Sequence, residues 1–388
     1  MNHADQKKLL ADVDAFCEEL RPIEELCYVE HRYNDQVIPL ATKYKLMAMP
    51  VPVELGGRGA DTVTYARALA RIGREGTGVR TFFSGHTSIG QYPILTWGSE
   101  EQKRRYLPAG ARGDKIFAFG LTEPEAGSNP LEMQMTYERK GDQFLLNGVK
   151  YLISNAGIAT TIVTFAKGST GRMSAFIVDT DQTGFAKEDL TAKMGMPTAN
   201  TGMFELTNYQ VPANNLLGEE SNGFRIAMGT LVSGRLSVAA GCLGVIEDCL
   251  AEVVTYAKER QQHGKPIGKH QLVQEHIAAI EMHRLATEAV VFRAAEAKDA
   301  SQREPANAEL KTRAELLAAQ AKLFASNAAW DAADRSVQIF GGRGWSTLYR
   351  PGRHLQDVRV CRIYEGTDEI LKLKIAAALL GKDFEAYK

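Results

Sequence analysis

The segment RIYEGTDEIL, residues 362–371, sets Glu365 immediately before Gly366 and Thr367, where a helix is due to begin. A carboxylate at such a point can serve as a general base if it is held in place and shielded from water. It can equally be a partner for the positive end of the helix dipole. Upstream, QIFGGRG (338–344) supplies Gly341, Gly342 and Gly344, which permit close backbone approach. Arg353 and Arg359 surround Asp357 as an internal ion-pair cluster would. The GGRG run is not a dinucleotide fingerprint, because it follows a helix-like stretch and lacks a strand–turn–helix setting.

Two other segments carry the same double reading. In AFGLTEPEAGSNP (118–130) a strand-like run enters a turn where backbone N–H groups and the hydroxyls of Thr122 and Ser128 could all face one ligand. A plain hairpin turn uses the same residue types. In YAKERQQHGKPIGKHQLVQ (256–274) one helix ends at Gly264 and Pro266 and another begins after Gly268, leaving Arg260 and Lys265 at the junction. Arginine forks onto phosphate oxygens, but basic residues in a last helical turn also answer the dipole.

The elements that must position these residues fall into three contiguous pieces. Residues 1–118 are mainly helical in pattern, with apolar residues at three- and four-residue intervals in LLADVDAFCEEL, QVIPLATKYKLMAM and TVTYARALARIGREG. Over 119–221 the period changes to short β-branched and aromatic runs, QFLLNGVKYLIS, TTIVTFAK, MSAFIVDT and GMFELTNYQV, which predict an antiparallel sheet or small barrel. Over 222–388 the helical period returns in four long segments, at about 223–262, 270–299, 306–340 and 366–380, which suggest a four-helix bundle. Helices, then strands, then helices argue against an alternating α/β sheet.

Composition narrows the class of protein. Lys+Arg 46 against Asp+Glu 47 leaves a net charge of −1, so no nucleic-acid or membrane-surface partner is expected. No stretch offers the run of apolar residues that a membrane span needs. The 5 cysteines have no CxxC spacing, which argues against a disulfide framework or a metal site. The N-terminal residues have no apolar signal region, so the expected location is cytoplasmic, or the mitochondrial matrix had a targeting peptide been removed.

Taken in this order and at these distances, TEPEAGS, ERQQHGKPIG, QIFGGRG and IYEGTDEI resemble the acyl-CoA dehydrogenase family over nearly the whole chain. PVPVELGGRG, NGVKYLISNAG (147–157), the stretch 193–228 and GRLSVAAGCLG (234–244) add to the likeness. The resemblance implies an N-terminal helical domain, a middle β-domain and a C-terminal four-helix bundle, with FAD between the β-domain and the bundle. It implies that Phe119, Leu121, Thr122, Gly127 and Ser128 line the flavin and thioester side, and that Leu152 and Ser154 border the flavin ring. Arg260, His263, Gln271, Gln338, Gly341 and Gly342 would reach the cofactor of a partner subunit, while Thr367 and Glu369 approach the chain's own. Glu365 aligns with the family's base, and Ser128, Arg235, Tyr364 and Gly366 with its substrate contacts.

By the same resemblance the enzyme is a homotetramer, acts on acyl-CoA and passes electrons to an electron-transfer flavoprotein. Some relatives carry the base on the bundle's first long helix, directly before an arginine; here that position is Gly234, before Arg235, so the carboxylate of Glu365 is favoured. The chain departs from the family at Asn129, Leu152 with Tyr151 beside it, His263 and Pro197, which bears on flavin contacts and substrate rather than class. A carrier-protein thioester stays open as substrate. Glu365 speaks against a flavin monooxygenase, a flavin oxidase stays open as an alternative, and the absence of a basic tail speaks against a DNA-binding flavoprotein of this fold.

Overall fold

The computed structural model describes residues 1–384; the last four positions of the 222–388 piece lie outside the described residues. The chain begins with α1 (His3–Val29), α2 (Val37–Lys43), α3 (Thr62–Gly73), α4 (Thr77–Phe83), α5 (Tyr92–Trp97) and α6 (Glu100–Ala111). Between α4 and α5, Ser84–Gln91 winds as a π-helical segment. Local chemistry sets these ends: Asp61 caps α3 by accepting the Thr64 N–H, and Ser99 with Gln102 forms a reciprocal capping box on α6. Within the π-helical segment, His86 accepts the Phe117 N–H at 3.1 Å, pinning the first strand to the helices. Burial pushes His86 down to about 3, so it stays a neutral acceptor.

The middle of the chain forms β1 (Phe117–Gly120), β2 (Thr136–Lys140), β3 (Gln143–Ser154), β4 (Thr161–Lys167), β5 (Met173–Asp179), β6 (Phe185–Asp189), β7 (Thr201–Pro212) and β8 (Leu216–Leu217). Their order is β6-β7-β3-β2-β4-β5-β8, with β1 alongside β4. The sheet is mixed rather than antiparallel: β1 runs parallel to β4, Phe117 opposite Thr161, and β2 meets β4 in parallel at one pair. The departure has a physical cause. β1 enters from the helical layer and not from a hairpin, so its neighbour is chosen by packing, with Phe119 edge-on to Phe165 at 5.0 Å. β2, β6 and β8 escape the sequence pattern because they are short, and β2 and β6 are largely exposed.

The third piece holds α7 (Gly223–Glu259), α8 (Gln271–Arg303), α9 (Ala308–Phe340), α10 (Arg350–Val358) and α11 (Asp368–Leu380). The four long helical segments are present. α7 stops at Glu259, short of the expected 262, because β9 (Gln261–Gln262) and β10 (Lys265–Pro266) pair as a hairpin. Its turn residues His263 and Gly264 both have positive φ, 53° and 73°, the geometry a two-residue hairpin turn demands. α10 falls within a glycine-rich, polar stretch, and it buries Arg353, His354 and Asp357.

Asp357 ties the pieces together. It accepts the Tyr28 hydroxyl of α1 at 2.9 Å and the Met196 N–H of the middle domain at 2.6 Å. Arg353 instead donates to the Thr347 and Leu348 carbonyls, so the expected ion-pair cluster around Asp357 is replaced by neutral donors. With neutral donors in place of a paired cation, burial pushes Asp357 up to about 7.

Candidate active site

Thr367 caps α11 by accepting the Ile370 N–H at 3.3 Å, and Asp368 and Glu369 fill its acidic first turn. The dipole role is therefore taken by residues after Glu365. Glu365 itself adopts a left-handed backbone (φ 58°), followed by Gly366 (φ 98°), an unfavourable choice for a residue with a β-carbon. The turn lays the carboxylate on α7: a β-carbon on Gly234 would lie 2.5 Å from the Glu365 carboxyl carbon. Arg235 Nε donates to the Glu365 carbonyl at 3.0 Å, and Lys322 Nζ of α9 donates to the Gly366 carbonyl at 2.7 Å.

Those two cations hold the backbone and leave the side chain free. Glu365 Oε2 is buried and has no hydrogen-bond partner among the described residues. Burial pushes its carboxyl up to about 7, against the opposing pull of Arg235, Arg80 and Lys322. An unpaired, desolvated carboxyl poised near neutral pH is suited to general-base work. Tyr364, beside it, takes a hydrogen bond from Arg80 of α4 on its hydroxyl and carries the Arg80 guanidinium over its ring, 5.6 Å from the centroid.

The opposite wall begins at the TEPEAGS loop, which is held by the buried ion pair Glu123–Lys150 at 2.7 Å. Lys150 also donates to the Leu121 carbonyl at 3.3 Å, the Tyr151 N–H to the Thr122 carbonyl at 2.9 Å, and the Met135 N–H to Glu123 at 3.1 Å. The register of β3 against β7 shifts just past Lys150, and there Leu152 has φ 58° and is 52% exposed. An exposed leucine on a bulge, beside part-buried Thr122 and Ser154, offers an apolar face with hydroxyls at its rim, as a flavin ring requires. Leu121 packs in one cluster with Leu231 of α7, one turn before Gly234, so the loop and the carboxylate border the same helix.

Not every expected residue joins this cleft. The Phe119 side chain is buried in the core, so only its backbone can face a ligand, while Gly127 and Ser128 are exposed on the loop. Arg260, His263, Gln271, Gln338, Gly341 and Gly342 are exposed near the end of the bundle where Tyr256 stacks on Phe340 with ring centroids 4.1 Å apart. Sequence reading missed Arg80 and Lys322. An arginine within the apolar run GVRTFFSG, with no acid nearby, is the signal that could have found the first. Among the described residues, no group of three or more His, Cys, Asp or Glu could hold a metal, and no helix is long and apolar enough to cross a membrane.

The arrangement is that of the acyl-CoA dehydrogenase fold. The chain belongs to the acyl-CoA dehydrogenase family: the models of its N-terminal, middle and C-terminal domains match residues 3–114, 118–209 and 221–380. It is 40% identical to an acyl-CoA dehydrogenase of Bacillus subtilis, over 94% of each chain. A solved structure from work on the electron transferring flavoprotein of Acidaminococcus fermentans superposes with TM-score 0.92 at 34% identity, covering 98% of both chains. An acyl-CoA dehydrogenase complexed with FAD from Bacillus anthracis superposes with TM-score 0.91 at 31% identity, over 99% of this chain and 68% of that one. The protein is thus an FAD-dependent oxidoreductase of the acyl-CoA class.

Proposed function

We propose that the enzyme converts an acyl-CoA to its trans-2-enoyl-CoA, with Glu365 as the base that takes the α-proton. The observation that carries this reading is the buried Oε2 of Glu365, unpartnered and raised toward neutral pH. The α-hydrogen of a thioester is a weak acid, so its removal needs both a placed base and a donor for the developing enolate oxygen. The Glu365 N–H makes no hydrogen bond among the described residues, and it is the donor for that oxygen. FAD, when bound, supplies the acceptor for the β-hydrogen as hydride. In this reading Leu152 backs the flavin ring on the face away from the substrate, while Thr122, Ser128 and Ser154 line its polar edge.

Arg260, His263, Gln271, Gln338, Gly341 and Gly342 make sense as contacts to a neighbouring subunit's cofactor. A β-carbon on Gly341 or Gly342 would meet nothing within 4 Å, which leaves their backbone open to a partner. We therefore propose a homotetramer, with an electron-transfer flavoprotein as electron acceptor. The test is anaerobic titration of the yellow holoenzyme with a panel of acyl-CoAs, read by bleaching of the flavin and by analysis of the product. Failure of every member to bleach it would end the proposal. A flavin-saturated monomer in light scattering would end the assembly part alone.

A further inference from the structure

The dehydrogenation chemistry uses Glu365 but gives no task to Arg80, the largest of the fully buried side chains. Among the described residues Arg80 has no carboxylate within ion-pair distance, and its guanidinium makes a single hydrogen bond, to the Tyr364 hydroxyl. Burying a guanidinium with one neutral partner for five donors is costly unless an anion arrives to complete it. The surroundings repeat the message. Arg80, Arg235 and Lys322 are three buried cations around Glu365, and Asp368, the next acid, is already paired with Arg362 at 2.8 Å. Cys361, 3.2 Å from the Tyr364 hydroxyl, is held below the usual thiol range by Cys242 beside it and by the charge of Arg80. Even counted as a thiolate beside an ionised Glu365, it leaves one positive charge unanswered.

Helix α7 shows where an anion would sit. Gly234, Ser237 and Gly241 recur at intervals of three and four residues and form one stripe. The Glu365 carboxylate rests on Gly234 at one end, and at the other a β-carbon on Gly241 would lie 2.8 Å from Arg80 Nε. Between them the Ser237 hydroxyl is buried without a hydrogen-bond partner among the described residues. Seven residues of helix span roughly 10 Å, the reach of a short acyl chain plus a contact at each end. Resting on the dehydrogenation reading above, we propose that the enzyme's substrates are short dicarboxylic acyl thioesters, whose distal carboxylate Arg80 receives, with Ser237 as a second donor.

The test compares holoenzyme on glutaryl-CoA and valeryl-CoA, which share a carbon count and differ in the distal carboxylate. We expect glutaryl-CoA to be preferred by about 10²-fold in kcat/KM, and Arg80→Gln to lower the ratio of the two kcat/KM values by about 10²-fold. Calorimetric Kd values for thioether analogues that cannot be oxidised should show the same preference, and that arm needs no turnover. Valeryl-CoA used or bound as well as glutaryl-CoA by the unaltered enzyme overturns the proposal, whether or not the variant folds. An unchanged ratio in folded Arg80→Gln overturns it too. If neither thioester reduces the flavin, the dehydrogenation reading fails while the binding arm still decides this one.

Discussion

The carboxylate of Glu365 occupies the space that a side chain at Gly234 would need: a β-carbon there would stand 2.5 Å from its carboxyl carbon. The two residues are 131 positions apart, and the contact exists only because α7 and α11 both pack on α9, with the left-handed turn at Glu365–Gly366 laid against α7. Gly234→Ala should therefore push the base aside without harming the helix, since alanine is a better helix former than glycine. We expect kcat/KM to fall about 10²-fold with an unchanged helical circular-dichroism signal. Full activity in this variant would mean that the carboxylate position is not critical.

Glu365→Gln keeps shape and removes the proton acceptor. Turnover should drop about 10³-fold or more while the flavin spectrum and retention on gel filtration stay as before. A variant that bleaches at the normal rate would locate the base elsewhere.

The pH profile follows from the same group. With its carboxyl near 7, the ionised base accumulates as pH rises, so kcat/KM should climb through about 7 and level off above it. The sign for stability is opposite: the folded protein holds this proton more tightly than the unfolded chain, so ionising Glu365 costs stability as pH rises from about 4.5 to about 7. Lys322 favours the ionised form, and Lys322→Met should move the activity limb to higher pH. A limb that moves down would contradict this electrostatic account.

The buried pair Glu123–Lys150 holds the loop on the other wall. Lys150→Met would leave Glu123 buried with only backbone donors, at an expected cost of about 3–5 kcal/mol. The melting temperature should fall and FAD should dissociate more readily during dialysis. Unchanged melting would show that the pair is dispensable.

Asp248 accepts from Arg350 Nε and from His354 Nε2, each at 2.7 Å. Burial works against its ionised form, but the hydrogen bonds and charges of His354 and Arg350 outweigh it and hold the carboxyl below the usual range. That stabilisation is present above the unfolded carboxylate's pKa and is lost as pH falls through the folded value. Asp248→Asn should lower stability by about 3–5 kcal/mol at neutral pH and flatten its decline in acid, measured by denaturant titration at several pH values. Equal acid sensitivity in both proteins would point to other groups.

Much of the molecule is written in local sequence. Apolar spacing sets the long helices, β-branched and aromatic runs mark β3, β4, β5 and β7, and the Thr367-Asp368-Glu369 run announces the start of α11, because these patterns act between residues a few positions apart. The motif set around Glu365 was legible for the same reason. Tertiary structure alone decided three things: that β1 joins the sheet in parallel, that Asp357 is met by neutral donors, and that Arg80 is buried with no acid paired to it among the described residues. Each depends on which distant surfaces meet, and packing between separate elements leaves no periodic trace in the chain.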